Sequence, residues 1–181
     1  MNRVGEFSKV SLEQFLDACN GVQFEYPPDE VYENIPIPKR ATSGSAGYDF
    51  KAPFAFDLNP GWSIKIPTGI RVKIEDGWYL ACFPRSGMGF KYQVRLANTC
   101  GVIDSDYFYS DNEGHIMLKL VNGGNDYVHV NAGDGIAQGI FMQPFPTGGA
   151  QFLFMGREEL NQSLVISGSA LGAADTVYIK G

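Results

Sequence analysis

Residues 69–83 read GIRVKIEDGWYLACF. Ile70, Val72 and Ile74 alternate with Arg71 and Lys73, a period of two that a helix cannot use but a half-buried strand can. Asp76-Gly77 is a hairpin turn signal, and WYLACF after it reads as a second strand. The same texture recurs outward from this stretch. HIMLKL (115–120), DYVHV (126–130) and GIAQGIFMQ (135–143) are further strands, and turn signals return about every 8–12 residues. That spacing predicts an all-β sandwich or barrel. There are 22 Gly and 10 Pro, scattered without a collagen-like period, as many short strands joined by tight turns require.

Toward the N-terminus the period changes. In SLEQFLDAC, Leu12, Phe15, Leu16 and Cys19 follow i, i+3, i+4, i+7, which predicts a short amphipathic helix over 11–19. Ser11 and Gln14 have the spacing of a capping box, and Asn20-Gly21 is a stop. A Pro- and acid-rich linker is expected at 26–39. Three segments follow: a helix and linker over 1–36, a β domain over 37–161, and a divergent tail over 162–181. In that tail SLVIS is strand-like, and the Gly/Ser/Ala stretch after it is given no element.

Composition bounds the chemistry. The chain has 181 residues, 44% of them hydrophobic, enough for one globular domain with appendages. Its net charge of −6 argues against a nucleic-acid partner, since a polyanion is repelled at long range. No apolar run reaches the ~18–20 residues needed to span a bilayer, so no membrane partner is expected. MNRVGEFSKV lacks a signal peptide's apolar stretch, so the expected compartment is the cytoplasm. Three cysteines without C-x-x-C spacing fit reducing conditions and no structural zinc.

Residues 101–114, GVIDSDYFYSDNEG, set four acids among three aromatic rings. A calcium loop counted from Asp104 would put Phe108 at position 5, Tyr109 at 6 and His115 at 12, where an oxygen ligand, a Gly and a Glu are needed. That reading fails. An ordinary polar turn with solvated acids remains for this stretch taken alone. Elsewhere, PRSGMGFK (84–91) combines the Arg85 fork of donors, the Ser86 hydroxyl and the unobstructed Gly87 backbone, a set that can hold phosphate oxygens. It lacks the spacing of a nucleotide P-loop.

In order, AGYD (46–49), PRSGMG (84–89), GVIDSDY (101–107) and GDGIAQ (133–138) resemble the first four of five motifs of the homotrimeric dUTPases. The resemblance covers roughly 37–143. It implies a distorted jelly-roll-like β fold, a homotrimer with active sites at subunit interfaces, and hydrolysis of dUTP to dUMP and pyrophosphate with Mg²⁺. On the matched positions, Asp104 is the catalytic base. Tyr107 packs on the deoxyribose and leaves no space for a 2′-OH. Asn98, with the hairpin backbone at Gly101, reads uracil. Arg85, Ser86, Gly87 and Gln138 bind phosphates, and Asp49 is associated with the metal through water. Asp106, Asp111 and Glu113 receive no role, and FYSDNEG, longer than the family's link, is expected to be an extended solvated turn.

The fifth motif, an Arg followed by a Gly-rich stretch with a Phe, is not found. SGSALG (167–172) has glycines and serines but no ring, and in 162–181 the only ring is Tyr178 and the only cation Lys180. Two other readings therefore stand beside the hydrolase. One is a dUTPase-fold nucleotide-binding or regulatory module with little catalysis. The other is the related dCTP deaminase, against which MLKL lacks the glutamate expected in that strand.

Overall fold

The computed structural model describes residues 3–22 and 24–144, and the paired backbones of 152–153 and 165–166. In chain order the elements are β1 (Gly5–Lys9), α1 (Leu12–Ala18), α2 (Pro28–Asn34), β2 (Lys39–Arg40), β3 (Tyr48–Lys51), β4 (Phe56–Leu58), β5 (Ser63–Pro67) and β6 (Ile70–Ile74). They continue with β7 (Tyr79–Pro84), α3 (Ser86–Tyr92), β8 (Val94–Leu96), β9 (Gly101–Ile103), a 3-10 helix (Ser105–Tyr109), β10 (Met117–Asn122), β11 (Val128–Val130) and β12 (Gly135–Met142). The chain divides into two units, Met1–Gln143 and Pro144–Gly181. In the second, β13 (Phe152–Leu153) pairs antiparallel with β14 (Val165–Ile166). The rest of the divergent tail, with SGSALG, Tyr178 and Lys180, lies outside the described residues.

The first unit is a jelly-roll-like β fold. Its ladders are β2-β3-β12-β7-β9, β5-β10-β8, β1-β6 and β4-β11, and every pairing is antiparallel. The alternation that predicted strands also sets their faces: Ile70, Val72 and Ile74 are buried while Lys73 between them is exposed. Leu118 and Leu120 do the same on β10, as do Val128 and Val130 on β11.

The Asp76-Gly77 turn is present, with Gly77 at φ +78° and the Trp78 N–H donating to the Glu75 carbonyl at 3.2 Å. It does not close a hairpin, however. β6 pairs with β1, and β7 runs between β12 and β9. The turn passes the chain from one sheet to another, which local signals cannot distinguish from a hairpin. The partner of β6 is GEFSK, a short strand that the sequence reading overlooked.

The N-terminal segment feeds the same core. Phe15 of α1 is wholly buried, in the same core cluster as Val10, Val31 and Ile35. The linker expected at 26–39 contains α2, with Pro28 at its first turn and Asp29 and Glu30 where acids suit a helix N-terminus. α1 starts as expected, the Ser11 hydroxyl accepting from the Gln14 N–H at 3.1 Å. The reciprocal half of the capping box is supplied from far away: Glu113 accepts the Ser11 N–H at 2.8 Å and the Ser11 hydroxyl at 2.6 Å. FYSDNEG is therefore more than a solvated turn, although Tyr109 and Asp111 are exposed. It begins in the 3-10 helix and ends by capping α1 through Glu113, which Arg71 also approaches at 3.9 Å. The two Ser11 hydrogen bonds lead in holding the Glu113 carboxyl below its ordinary value.

Candidate active site

The residues expected to bind phosphate come together across one sheet. Asp49 on β3 stands opposite Gln138 on β12, and Gln138 opposite Phe83 on β7. Residues opposite one another across a ladder share a face, so Asp49 and Gln138 project together. Arg85 follows β7 directly, and its Nε lies 3.6 Å from the Asp49 carboxylate. Gln138 Nε2 donates to the Pro84 carbonyl at 3.4 Å.

Two glycines make this crowding possible. A Cβ on Gly135 would overlap the Arg85 guanidinium and come within 2.8 Å of its Cδ, and a Cβ on Gly47 would meet Gln138 Oε1 at 2.5 Å. Both belong to motifs quoted above, but only a tertiary contact gives them a task. Ser86 and Gly87 open α3, so PRSGMGFK is a strand end and a short helix rather than a loop. With Arg85 and Gly135 they line a cavity of about 340 Å³ that also meets His129 and Asp134. The His129 imidazole faces Asp57 at 2.7 Å and Asn131 at 3.2 Å. Its hydrogen bond to the Asp57 carboxylate holds it protonated to higher pH than usual.

The residues expected to meet base and sugar follow one another along the chain. Asn98 and Gly101 line a cavity of about 310 Å³ with Cys82, Leu96, Ile116 and Leu118. Gly101 sits opposite Cys82 on β7, and a Cβ there would meet the Cys82 Cβ at 3.3 Å. Asn98 lies in the tight link between β8 and β9, where Thr99 takes φ +65°. Asp104 is exposed at the end of β9, in extended backbone just before the 3-10 helix that carries Tyr107. The Tyr107 hydroxyl donates to the His115 carbonyl at 3.1 Å.

The two groups share no lining residue. Cys82 and Gly101 are one residue out of phase with Phe83 and Gln138, whereas Val102, which also lines the second cavity, lies opposite Ala81 and shares the Phe83 face.

A nucleophilic role for Cys19 or Cys82 finds no support here. Burial pushes the Cys19 and Cys82 thiols up to about 12, and the wholly buried His115 accepts the Gly69 N–H at Nε2, 2.8 Å away. Among the described residues no three His, Cys, Asp or Glu side chains are placed to hold a metal ion. With Asp49 already facing Arg85, the donor set fits no resident metal cage. It fits an ion that arrives on a triphosphate and keeps its water, which Asp49 could hydrogen-bond.

Residues 33–161 match the family model for dUTPase. The chain belongs to the dUTPase family. A deoxyuridine 5′-triphosphate nucleotidohydrolase of Lactococcus lactis is 40% identical over 117 residues, covering 63% of this chain and 77% of that protein. One from Shigella sonnei is 42% identical over 115 residues, 62% of this chain and 73% of that protein. Among solved structures, the dUTPase from Streptococcus mutans superposes with a TM-score of 0.60 at 30% identity, over 79% of this chain and 98% of that one. A mutant dUTPase from phage phi11 of S. aureus, described for its coordination of a structural Mg(II) ion, has a TM-score of 0.58 at 19% identity, over 84% of this chain and 99% of that one. This second likeness bears on the fold alone.

Proposed function

We propose that this member of the dUTPase family hydrolyses dUTP to dUMP and pyrophosphate, with Asp104 as general base. One observation carries the reading: Asp49, Arg85 and Gln138, from three of the four family motifs, converge in one cluster, and the remaining motif sets Gly101, Asp104 and Tyr107 in succession after Asn98.

Asn98 and the backbone at Gly101 read the uracil edge, although β8 and β9 pair with different strands and form no hairpin there, and the Tyr107 ring walls the deoxyribose. Arg85, Ser86, Gly87 and Gln138 hold the phosphates. Asp49 occupies Arg85 at Nε, and no hydrogen bond among the described residues engages the terminal nitrogens, which stay available to an anion. The exposed Asp104 carboxylate takes the proton of a water whose oxygen bonds to phosphorus as the α–β anhydride bond breaks. Pyrophosphate departs, and the proton passes to solvent. A magnesium ion bound with the triphosphate, its water held by Asp49, would supply countercharge to the leaving group.

The two groups line separate cavities with no residue in common, and an interface between two copies of the chain would let one nucleotide meet one group from each. That supports a homotrimer with interface sites. The three cysteines, free among the described residues, suit a reducing cytoplasm. No described helix is long and apolar enough to cross a membrane.

The test is pyrophosphate release with Mg²⁺ across dUTP, dCTP, dTTP and UTP, beside a solution mass measurement. Release from dUTP in strong preference, by a species of about three times the 19.8 kDa chain mass, is expected. Ammonia from dCTP would replace this reading with the deaminase, and tight dUTP binding without release would replace it with a binding module. Turnover by a clean monomer would overturn the interface site.

A further inference from the structure

We infer that Asn112, in the stretch between the site tyrosine and β10, is a positioning residue that holds Tyr107 in place and thereby tightens the choice of deoxyribose over ribose. The inference rests on the reading of Tyr107 as the wall against the sugar.

The Asn112 amide has one orientation its neighbours accept. The Gly114 N–H can only donate, and it lies 3.2 Å from Oδ1. The His115 carbonyl can only accept, and it lies 3.5 Å from Nδ2. Nδ2 therefore faces the Tyr107 oxygen, at 2.9 Å, as a donor. The tyrosine hydroxyl in turn spends its own proton on the His115 carbonyl. His115 is wholly buried, so the far end of the tyrosine is tied to the core through two partners.

Asn112 is itself held. The Ser110 hydroxyl is 2.7 Å from Oδ1. Arg71 lies over the Phe108 ring at 3.7 Å and donates to the Phe108 carbonyl at 2.7 Å. Gly114, at φ +71°, has no room for a Cβ, which would come 2.7 Å from the Phe108 Cα. The segment is a brace with the tyrosine hydroxyl at its centre.

Discrimination by exclusion depends on such a brace. A 2′-OH adds only one oxygen, and an apolar wall that yields by about an ångström admits it. A ring fixed at its backbone alone can swing, whereas one fixed at both ends cannot.

The test compares kcat/KM for dUTP and UTP in the full chain, Asn112→Ala, Tyr107→Phe and the double variant. Asn112→Ala should lower the dUTP-to-UTP ratio by about 3- to 10-fold, the scale of one lost hydrogen bond. In the Tyr107→Phe background the same substitution should change the ratio no further, since its partner is gone. A merely structural role would not move the ratio, because a smaller folded fraction scales both substrates equally. If Asn112→Ala does not accumulate, Asn112→Ser, too short to reach the tyrosine, carries the same expectation. An unchanged ratio in a discriminating protein, or fully additive effects in the double variant, would overturn the inference and leave the hydrolase reading intact. A parent chain that hydrolyses both nucleotides equally would instead overturn the role of Tyr107, and this inference with it.

Discussion

Lowering the pH from 7 to 5 should destabilise this protein through one residue, His115. Its ring is wholly buried against Phe15, with centroids 6.4 Å apart. Nε2 accepts the Gly69 N–H at 2.8 Å, so the proton of the neutral ring sits on Nδ1. A second proton would have to go on Nε2, turning an acceptor into a donor that opposes the Gly69 N–H in a dry site. Burial accordingly lowers the pKa of His115 from 6.5 to about 4. The folded value lies below the unfolded one, so the unfolded chain takes up the proton first. The stability tied to the neutral ring is thus fully present above about pH 6.5 and drains away as pH falls toward 4. At ~1.4 kcal/mol per pKa unit, the loss between pH 7 and 5 comes to about 2 kcal/mol. Most carboxylates are still ionised over that span, so they obscure it little. The assay is urea unfolding at fixed chain concentration across pH 5–7, for the parent and for His115→Gln. That variant can place an amide oxygen near the Nε2 position but cannot titrate. It should be less stable at pH 7 by ~1–3 kcal/mol from lost packing, with a flatter pH dependence. His129 titrates with the opposite sign, because its pKa is raised, and it cancels in the comparison. Parallel pH profiles for the two proteins would refute the reasoning.

Asp104→Asn should retain dUTP binding while kcat falls by ~10²–10⁴, read by pyrophosphate release, and parent-like turnover would remove Asp104 as the base. Gly135→Ala should displace the Arg85 guanidinium, lowering kcat/KM for dUTP by about tenfold or more with the circular dichroism spectrum unchanged. Glu113→Ala should cost ~1–2 kcal/mol through its two hydrogen bonds to Ser11, discounted for solvent at a side chain about one-third exposed, and should lower Tm by about 2–6 °C. The Glu113 carboxyl is held below its ordinary value, so this difference should be full near pH 7 and shrink as pH falls through the folded pKa. A Tm gap that persists at low pH would refute the capping role.

Much of this molecule is legible along the chain, because its information is local. Alternation at Ile70, Val72 and Ile74 determines a strand and its buried face whatever the strand pairs with. The order AGYD, PRSG, GVIDSDY, GDGIAQ likewise determines the family without any coordinates. What the tertiary structure decided are relations between residues far apart in sequence. Asp76-Gly77 makes a turn on its own, but which sheet receives β7 depends on β12 and β9. PPDEVYEN reads as a linker until Val31 and Ile35 find the core that makes it a helix. Glu113 looks like a solvated acid because its partner, Ser11, is 102 residues away. Gly135 becomes necessary only where the Arg85 side chain crosses it. In each case propensity and spacing act over a few residues. A hydrogen bond or an excluded Cβ acts between whatever neighbours the completed fold has brought within a few ångströms.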